Sequence, residues 1–177
     1  EEKLHGETPD VRWLWNHLGK EKYKPCTENE FSDYIKRHFE DDLRGRGIIV
    51  NREVEIRRGY GMNQGERTDI QVNAVLRGQE EDYQTLSAII EVKGNWHNEL
   101  NEAMQTQLSD RYLKDNVCQF GLYLVGWFSS ESWEDEHRKK RVPKIALEEA
   151  RVKFRKQAEK LSSKGKRIKS FILDVRL

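Results

Sequence analysis

The stretch "LSAIIEVKGNWH", residues 86–97, joins an apolar run directly to charged residues. Its first half has the short apolar composition of a buried strand. Glu91 and Lys93 then follow two residues apart, and the period-2 pleat of a strand points both side chains to the same face. A strand that ends in this way predicts a charged site at a rim of the sheet. The alternative is an ordinary ion pair on an exposed strand.

The composition indicates one folded domain of 177 residues. Hydrophobic residues make up 36% of the chain, which excludes wholesale disorder although another 36% is charged. Cys26 and Cys118 have no local partner spacing, so we expect neither disulfides nor a zinc site, and a cytoplasmic location. No run approaches a membrane span and no signal peptide is present, so we expect no membrane partner. Because the chain begins at Glu1 rather than Met, we expect it to be a piece of a longer protein.

Positive charge is concentrated in the C-terminal part of the chain. We call residues 138–169 the basic segment, because they carry 14 lysines and arginines against three glutamates. The net charge of the whole chain is only +1, so the remainder is acidic. Two interpretations stay open from composition alone: a solvated helix face and tail, or an electrostatic footprint for phosphates.

Two helices are predicted before the first strand. Thr8 is a candidate N-cap before a proline, and apolar residues at helical spacing then predict a short amphipathic helix that ends at Gly19. Thr27 begins a second helix, with Glu30 three residues later as a capping box, and the sequence RGRG ends it.

The rest of the chain has the pattern of three strands in succession, followed by two helices that alternate with two strands. Three consecutive strands suggest an antiparallel meander, and the later alternation suggests crossover units that extend it into a mixed sheet. The predicted class is therefore an α/β sandwich. The predicted strands are residues 48–58, 67–76, 86–93, 118–128 and 167–177, and the predicted helices are residues 97–115 and a long basic helix that begins at Pro143.

Asp69 lies at the start of one predicted strand, and Glu91 and Lys93 lie at the end of the next. If those strands are antiparallel neighbours, the three side chains meet at one rim of the sheet. Two carboxylates there would offer oxygen ligands to Mg²⁺ or Mn²⁺, which polarise a phosphodiester and lower the pKa of a bound water. Lys93 would orient the attacking water or stabilise the pentacovalent charge.

This conjunction resembles the PD-(D/E)xK nuclease superfamily, which has the restriction-endonuclease-like fold. The resemblance is carried by Asp69 and by the EVK of residues 91–93 after an apolar run. It implies a three-layer α/β sandwich with a central mixed β-sheet flanked by helices. The nuclease domain would be residues 27–177, with residues 1–26 as an N-terminal helical extension. Thr68, rather than proline, precedes Asp69, and the family widely tolerates this departure.

The resemblance also implies roles for site residues. The metal ligands would be Asp69, Glu91 and the carbonyl of Val92, and Lys93 would aid catalysis. A glutamate on the helix before the first strand commonly contributes to such sites, and the candidate here is Glu30. Its place in the predicted capping box is an equally open interpretation.

The helix after the EVK strand adds polar candidates. Some family members carry a glutamine and a tyrosine there, which makes Gln107 a candidate catalytic residue, although Gln107 and Tyr112 are one residue further apart than in that pattern. Gln107 and Arg111 share a helix face, either to grip phosphates or as a solvated polar face. The candidate nucleic-acid-binding residues are Arg111, Arg138, Lys139, Lys140, Arg141 and Lys144.

The favoured function is a Mg²⁺- or Mn²⁺-dependent endonuclease that hydrolyses DNA, with duplex DNA as its partner. DNA is favoured over RNA by the resemblance alone. We expect an effector domain of a larger bacterial defence or repair protein, so other domains of that parent chain are expected partners. A homo-oligomer is a further candidate, because a double-strand cut by one active site needs a second copy. The alternative function is a catalytically weak nuclease-fold module for nucleic-acid binding or assembly.

Overall fold

A computed structural model gives the structure of residues 2–7, 9–20, 22–57, 66–77, 83–114, 118–163 and 165–177. The strands in this part of the chain are β1 (Trp15–Gly19), β2 (Lys22–Pro25), β3 (Ile48–Arg57), β4 (Glu66–Arg77), β5 (Tyr83–Gly94), β6 (Phe120–Trp127) and β7 (Arg167–Asp174). The helices there are α1 (Glu2–His5), a 3-10 helix (Asp10–Leu14), α2 (Glu28–Asp42), a π-helix (Met104–Tyr112), α3 (Glu136–Lys139) and α4 (Leu147–Leu161).

A mixed sheet of five strands, in the order β3-β4-β5-β6-β7, organises the fold. The strands β3, β4 and β5 are antiparallel neighbours, whereas β5, β6 and β7 are parallel. The π-helix connects β5 to β6, and α4 connects β6 to β7, because parallel neighbours need a crossover. The predicted meander and the two predicted crossover units are confirmed.

Helices cover both faces of this sheet. On one face, Phe31 and Ile35 of α2 pack in a cluster that includes Ile90 and Val92 of β5. On the opposite face, Ile89 packs in a second cluster with residues of the π-helix and α4. Successive residues of β5 therefore point to different layers, as a pleated strand requires. The predicted α/β class, with a central mixed sheet and flanking helices, is confirmed.

The N-terminal part of the chain differs from the predicted amphipathic helix, and that prediction is wrong. The 3-10 helix ends at Leu14, and the chain then enters the hairpin of β1 and β2. Trp15 is buried, and its Nε1 donates a hydrogen bond of 2.8 Å to the Val175 carbonyl. That distant contact fixes an extended conformation where the local spacing favoured a helix. Thr8, the predicted N-cap, lies outside the described residues.

This N-terminal part packs into the same hydrophobic cluster as α2. Leu4, Leu14 and Trp15 are buried in that cluster. The Trp15 ring contacts the rings of Phe128 and Trp133 edge to face, with each pair of ring centroids 5.4 Å apart. The predicted division of the chain after residue 26 stays a prediction.

The two long helices differ in how well their starts were predicted. The N-terminal end of α2 is confirmed, because Thr27 and Glu30 form the predicted capping box. By contrast, the prediction that the second long helix begins at Pro143 is wrong. The helix α4 begins at Leu147, because the apolar stripe of Leu147, Ala150 and Phe154 that faces the sheet starts there.

Both helices have 15 residues and many charges. In the described part of the chain, no helix has the length and apolar composition needed to cross a membrane.

Candidate active site

The strands β4 and β5 separate at one end of their ladder, and this separation creates the candidate site. The last pair at this end joins Ile70 to Ile90. One residue further, a side chain of β4 takes the place of its backbone as the hydrogen-bond partner of β5. The Asp69 carboxylate Oδ2 accepts a hydrogen bond of 2.8 Å from Val92 N. The N–H and C=O of one strand residue point to the same side, so the Val92 carbonyl also faces the gap beside Asp69.

Glu91 and Lys93 bring buried charge to this rim, since only 1% and 4% of their surfaces are exposed. Lys93 Nζ lies 2.5 Å from Glu91 Oε1 and 3.3 Å from Glu28 Oε1. Gly94 N donates to the other carboxylate oxygen of Glu28 at 3.5 Å. This burial excludes the alternative of an ordinary ion pair on an exposed strand. The rim cluster, as we name it, consists of Glu28, Asp69, Glu91 and Lys93.

Burial controls the protonation of the rim cluster. It raises the pKa of Glu91 to about 8, and the neighbouring Asp69 carboxylate adds to this shift. It also raises the pKa of Asp69 above its usual range, although the Lys93 ammonium opposes this change. Burial lowers the pKa of Lys93, but the surrounding carboxylates outweigh this effect and hold that pKa above its usual range. The rim cluster therefore holds the Lys93 ammonium against carboxyl groups whose ionised forms are disfavoured by burial.

The oxygen atoms at this rim fit a hard divalent cation. Glu91 Oε2 is buried and has no hydrogen-bond partner in the described structure, so it has a free ligand position. Asp69 supplies a second carboxylate, and the Val92 carbonyl faces the same gap. No group of three or more histidine, cysteine, aspartate or glutamate side chains among the described residues is arranged to hold a metal. The predicted set needs only two carboxylates and a backbone oxygen, which suits Mg²⁺ or Mn²⁺.

Glu30 is not brought into the rim cluster. Its carboxylate accepts hydrogen bonds from Thr27 N at 2.6 Å and from Thr27 Oγ1 at 2.9 Å. These bonds from Thr27 lower the pKa of Glu30 below its usual range. The capping-box interpretation therefore describes Glu30, and Glu28 is the helix acid beside Lys93. The capping box was a signal against Glu30, because it commits the Glu30 carboxylate to the helix end, but it does not single out Glu28.

The π-helix brings one polar side chain close to the rim cluster. Burial raises the pKa of Tyr112 to about 12, and the charges of Glu91 and Asp69 contribute to this shift. Gln107 has a different partner, since its Nε2 donates a hydrogen bond of 2.6 Å to the Glu99 carboxylate. The backbone hydrogen bonds of a π-helix join residues five positions apart. Gln107 and Tyr112 have this spacing, so the extra residue between them does not by itself put them on different faces of the helix. The structure nevertheless places Gln107 against Glu99 and Tyr112 near the cluster.

Arg138 has a structural position. Its Nη1 donates to the carbonyls of Pro25 at 3.1 Å and Cys26 at 3.2 Å, and its Nε lies 3.4 Å from Asp135 Oδ2. Its guanidinium also lies 5.0 Å from the centre of the Trp96 ring. These contacts commit Arg138 to holding the hairpin, α2 and the end of β5 together. The other predicted nucleic-acid-binding residues are exposed: Arg111, Lys139, Lys140, Arg141 and Lys144.

Comparisons with known proteins do not identify this site. No protein-family model matches the chain, and neither a curated protein nor a solved structure matches it.

Proposed function

We propose that this protein is a metal-dependent endonuclease of the PD-(D/E)xK type that hydrolyses DNA phosphodiester bonds. The observation that carries the proposal is the convergence of Asp69, Glu91 and Lys93 where β4 and β5 separate. Buried carboxylates next to a buried ammonium cost stability, so such a cluster indicates a functional site. The antiparallel meander followed by crossover units supports the restriction-endonuclease-like form of the α/β fold.

Each member of the site has a role in this proposal. Asp69, Glu91 and the Val92 carbonyl would hold Mg²⁺ or Mn²⁺, which supplies Lewis acidity and lowers the pKa of a bound water. Lys93, which Glu91 and Glu28 hold in place, would donate hydrogen bonds to the attacking water or to the charge that develops on the phosphate. Asp69 also fixes the backbone of Val92 by accepting from its N–H.

The biological setting belongs to the same proposal. The protein would act in the cytoplasm as the nuclease of a larger bacterial defence or repair protein, whose other domains choose the target. Exposed basic residues support phosphate contacts without sequence preference. Duplex DNA is the expected substrate.

A catalytically weak module for nucleic-acid binding or assembly is the second candidate. The burial of Glu91 favours it, because only 1% of that residue is exposed and one carboxylate oxygen is already bound to Lys93. A metal would have to compete with that ammonium for Glu91. The two candidates differ in one measurable property, which is hydrolysis.

Nicking of supercoiled plasmid separates the two candidates. We expect cutting in Mg²⁺ or Mn²⁺, binding without cutting in Ca²⁺, and no cutting in EDTA. Asp69→Ala and Glu91→Ala should each lower the rate by about 10³-fold or more, since each removes several kcal/mol of transition-state stabilisation. Glu102→Ala, which removes an exposed acid of the turn before the π-helix, is the matched control. A wild-type rate for either site variant, or undiminished cutting in EDTA, would refute the nuclease assignment, and binding without any cutting would favour the weak module.

A further inference from the structure

A polar groove of about 380 Å³ adjoins the rim cluster. Glu28 belongs to both, because it holds Lys93 on one side and lines the groove on the other. The groove also contains His97 and Asn98 from the turn after β5, His137 from α3, and Arg141 from the start of the basic segment. We call it the histidine groove. At roughly 30 Å³ per water molecule, it has room for a hydrated phosphate group.

The charges that line the histidine groove leave it suited to an anion. Its two carboxylates are already engaged, because Glu28 contacts Lys93 and Asp135 contacts Arg138. Arg141 Nη2 instead lies 2.9 Å from the His137 ring, which does not cancel its charge. The groove therefore presents a guanidinium whose described partner is a neutral ring.

Hydrogen bonds assign the tautomer of each imidazole and leave each ring one N–H donor. His97 Nδ1 accepts from Glu99 N at 3.1 Å, so the neutral ring carries its proton on Nε2. His137 Nε2 accepts from the Arg141 guanidinium, which can only donate, so that ring carries its proton on Nδ1. Each ring keeps one N–H with which to bind an acceptor. Two N–H donors beside a guanidinium form an arrangement that recognises phosphate oxygens.

We propose that the histidine groove is a phosphate subsite that holds the nucleic-acid phosphate next to the one that is cleaved. The inference rests on the proposed nuclease function, adds His97 and His137 as binding residues, and gives the candidate Arg141 a defined place beside them. Because Glu28 joins the groove to the rim cluster, a strand whose scissile phosphate lies at Lys93 would place a neighbouring phosphate in the groove. Arg141 supplies the charge, and the imidazoles supply directed hydrogen bonds.

Imidazole NMR with duplex DNA in EDTA tests the subsite without requiring hydrolysis. The chain has five histidines. We expect saturable shifts of the ring nitrogens of His97 and His137, assigned with His97→Gln and His137→Gln variants. His5, His17 and His38 lie outside the groove, so they serve as internal controls. Shifts of His97 and His137 no larger than those of the three control rings would overturn the proposal.

Binding of the same duplex by charge variants gives a second measurement. Arg141→Gln should weaken binding about fivefold and reduce the salt slope by about one unit, as expected for one lost phosphate contact. Arg44→Gln makes the same charge change on an exposed residue just past the C-terminal end of α2, the end opposite Glu28, and should leave both unchanged. Equal changes in affinity and in salt slope for the two variants would count against the subsite.

The subsite and the nuclease proposal can fail separately. If the groove imidazoles respond but the plasmid is never cut, the nuclease assignment fails and the phosphate site stands. If the plasmid is cut but the ring nitrogens of His97 and His137 do not shift when DNA is added, only the subsite proposal fails.

Discussion

The rim cluster and the basic segment both concentrate charge, but they place it differently. In the rim cluster, Glu91 and Lys93 are almost fully buried and contact each other at 2.5 Å. In the basic segment, Lys139, Lys140 and Lys144 are exposed to water. Electrostatic interactions are strong where water is excluded and weak where solvent and salt screen them. We therefore expect substitutions in the rim cluster to change stability and chemistry, and substitutions of the exposed lysines to change only encounters with a charged partner.

Lys93→Met should produce the largest loss of stability, because it leaves three carboxylates together without a cation. Removing one partner of a buried ion pair costs about 4 kcal/mol. Urea unfolding at pH 8 would measure this loss. Lys36→Met is the matched control, because Lys36 forms an exposed pair with Glu40 at 2.6 Å on α2, and such pairs contribute about 0.5 kcal/mol or less. Equal losses of stability in the two variants would contradict the prediction that the buried Lys93 contributes more to stability than an exposed lysine.

Glu91→Gln should change how stability depends on pH. The pKa of Glu91 is about 8 in the folded protein and near 4.5 in the unfolded chain, so the folded state binds more protons between these values. Stability of the wild-type protein should therefore fall as pH rises through this window, by about 3 kcal/mol. Glu91→Gln should remove most of that fall, and Asp69, whose pKa is also raised, accounts for the remainder.

Thermal or urea unfolding between pH 4.5 and pH 8 measures this effect. Glu102→Gln, on an exposed residue, should keep the wild-type profile. A flat profile in the wild-type protein would mean that Glu91 ionises freely when folded, which would contradict its burial.

Arg138→Gln should act on stability although it lies in the basic segment. Its side chain is 22% exposed and donates to two backbone carbonyls, and hydrogen bonds of a charged group contribute about 2 kcal/mol. Lys140→Gln removes a neighbouring exposed charge and should change stability by less than about 0.5 kcal/mol. Unfolding of both variants by urea compares them directly. If both variants are as stable as the wild-type protein, Arg138 is an ordinary surface residue.

Strand geometry explains why the three strand residues of the rim cluster, Asp69, Glu91 and Lys93, could be predicted from sequence. Because side chains alternate along a strand, the spacing of Glu91 and Lys93 already placed them on one face. The antiparallel order of β4 and β5 then brought Asp69 to the same end. Both inferences needed only local patterns and the shortest connection between strands.

The incorrect or missed assignments depend on distant partners. Arg138 bonds the carbonyls of Pro25 and Cys26, more than a hundred positions earlier in the chain, and no local pattern indicates this contact. Trp15 is likewise extended because it reaches Val175. Glu28 was missed for the same reason: the capping box of Thr27 and Glu30 indicates that Glu30 is engaged at the helix end, but no local pattern indicates that Glu28 contacts Lys93.

The smallest expected effect concerns the exposed lysines, and it tests whether the basic segment binds phosphates at all. Lys139, Lys140 and Lys144 are all exposed. If each contacts a phosphate of duplex DNA, replacing all three with glutamine should reduce the slope of log affinity against log salt by about 2 to 3 units. Affinity should fall alike for all sequences, because phosphate contacts carry no base information. Cutting at saturating DNA should stay at the wild-type rate, since none of these lysines belongs to the rim cluster. Binding of the Glu91→Ala protein, with and without the three substitutions, measures the slope in the absence of cutting. An identical slope for both proteins would mean that these lysines only solvate the surface, and the contrast with the rim cluster would then be one between a site and an ordinary surface.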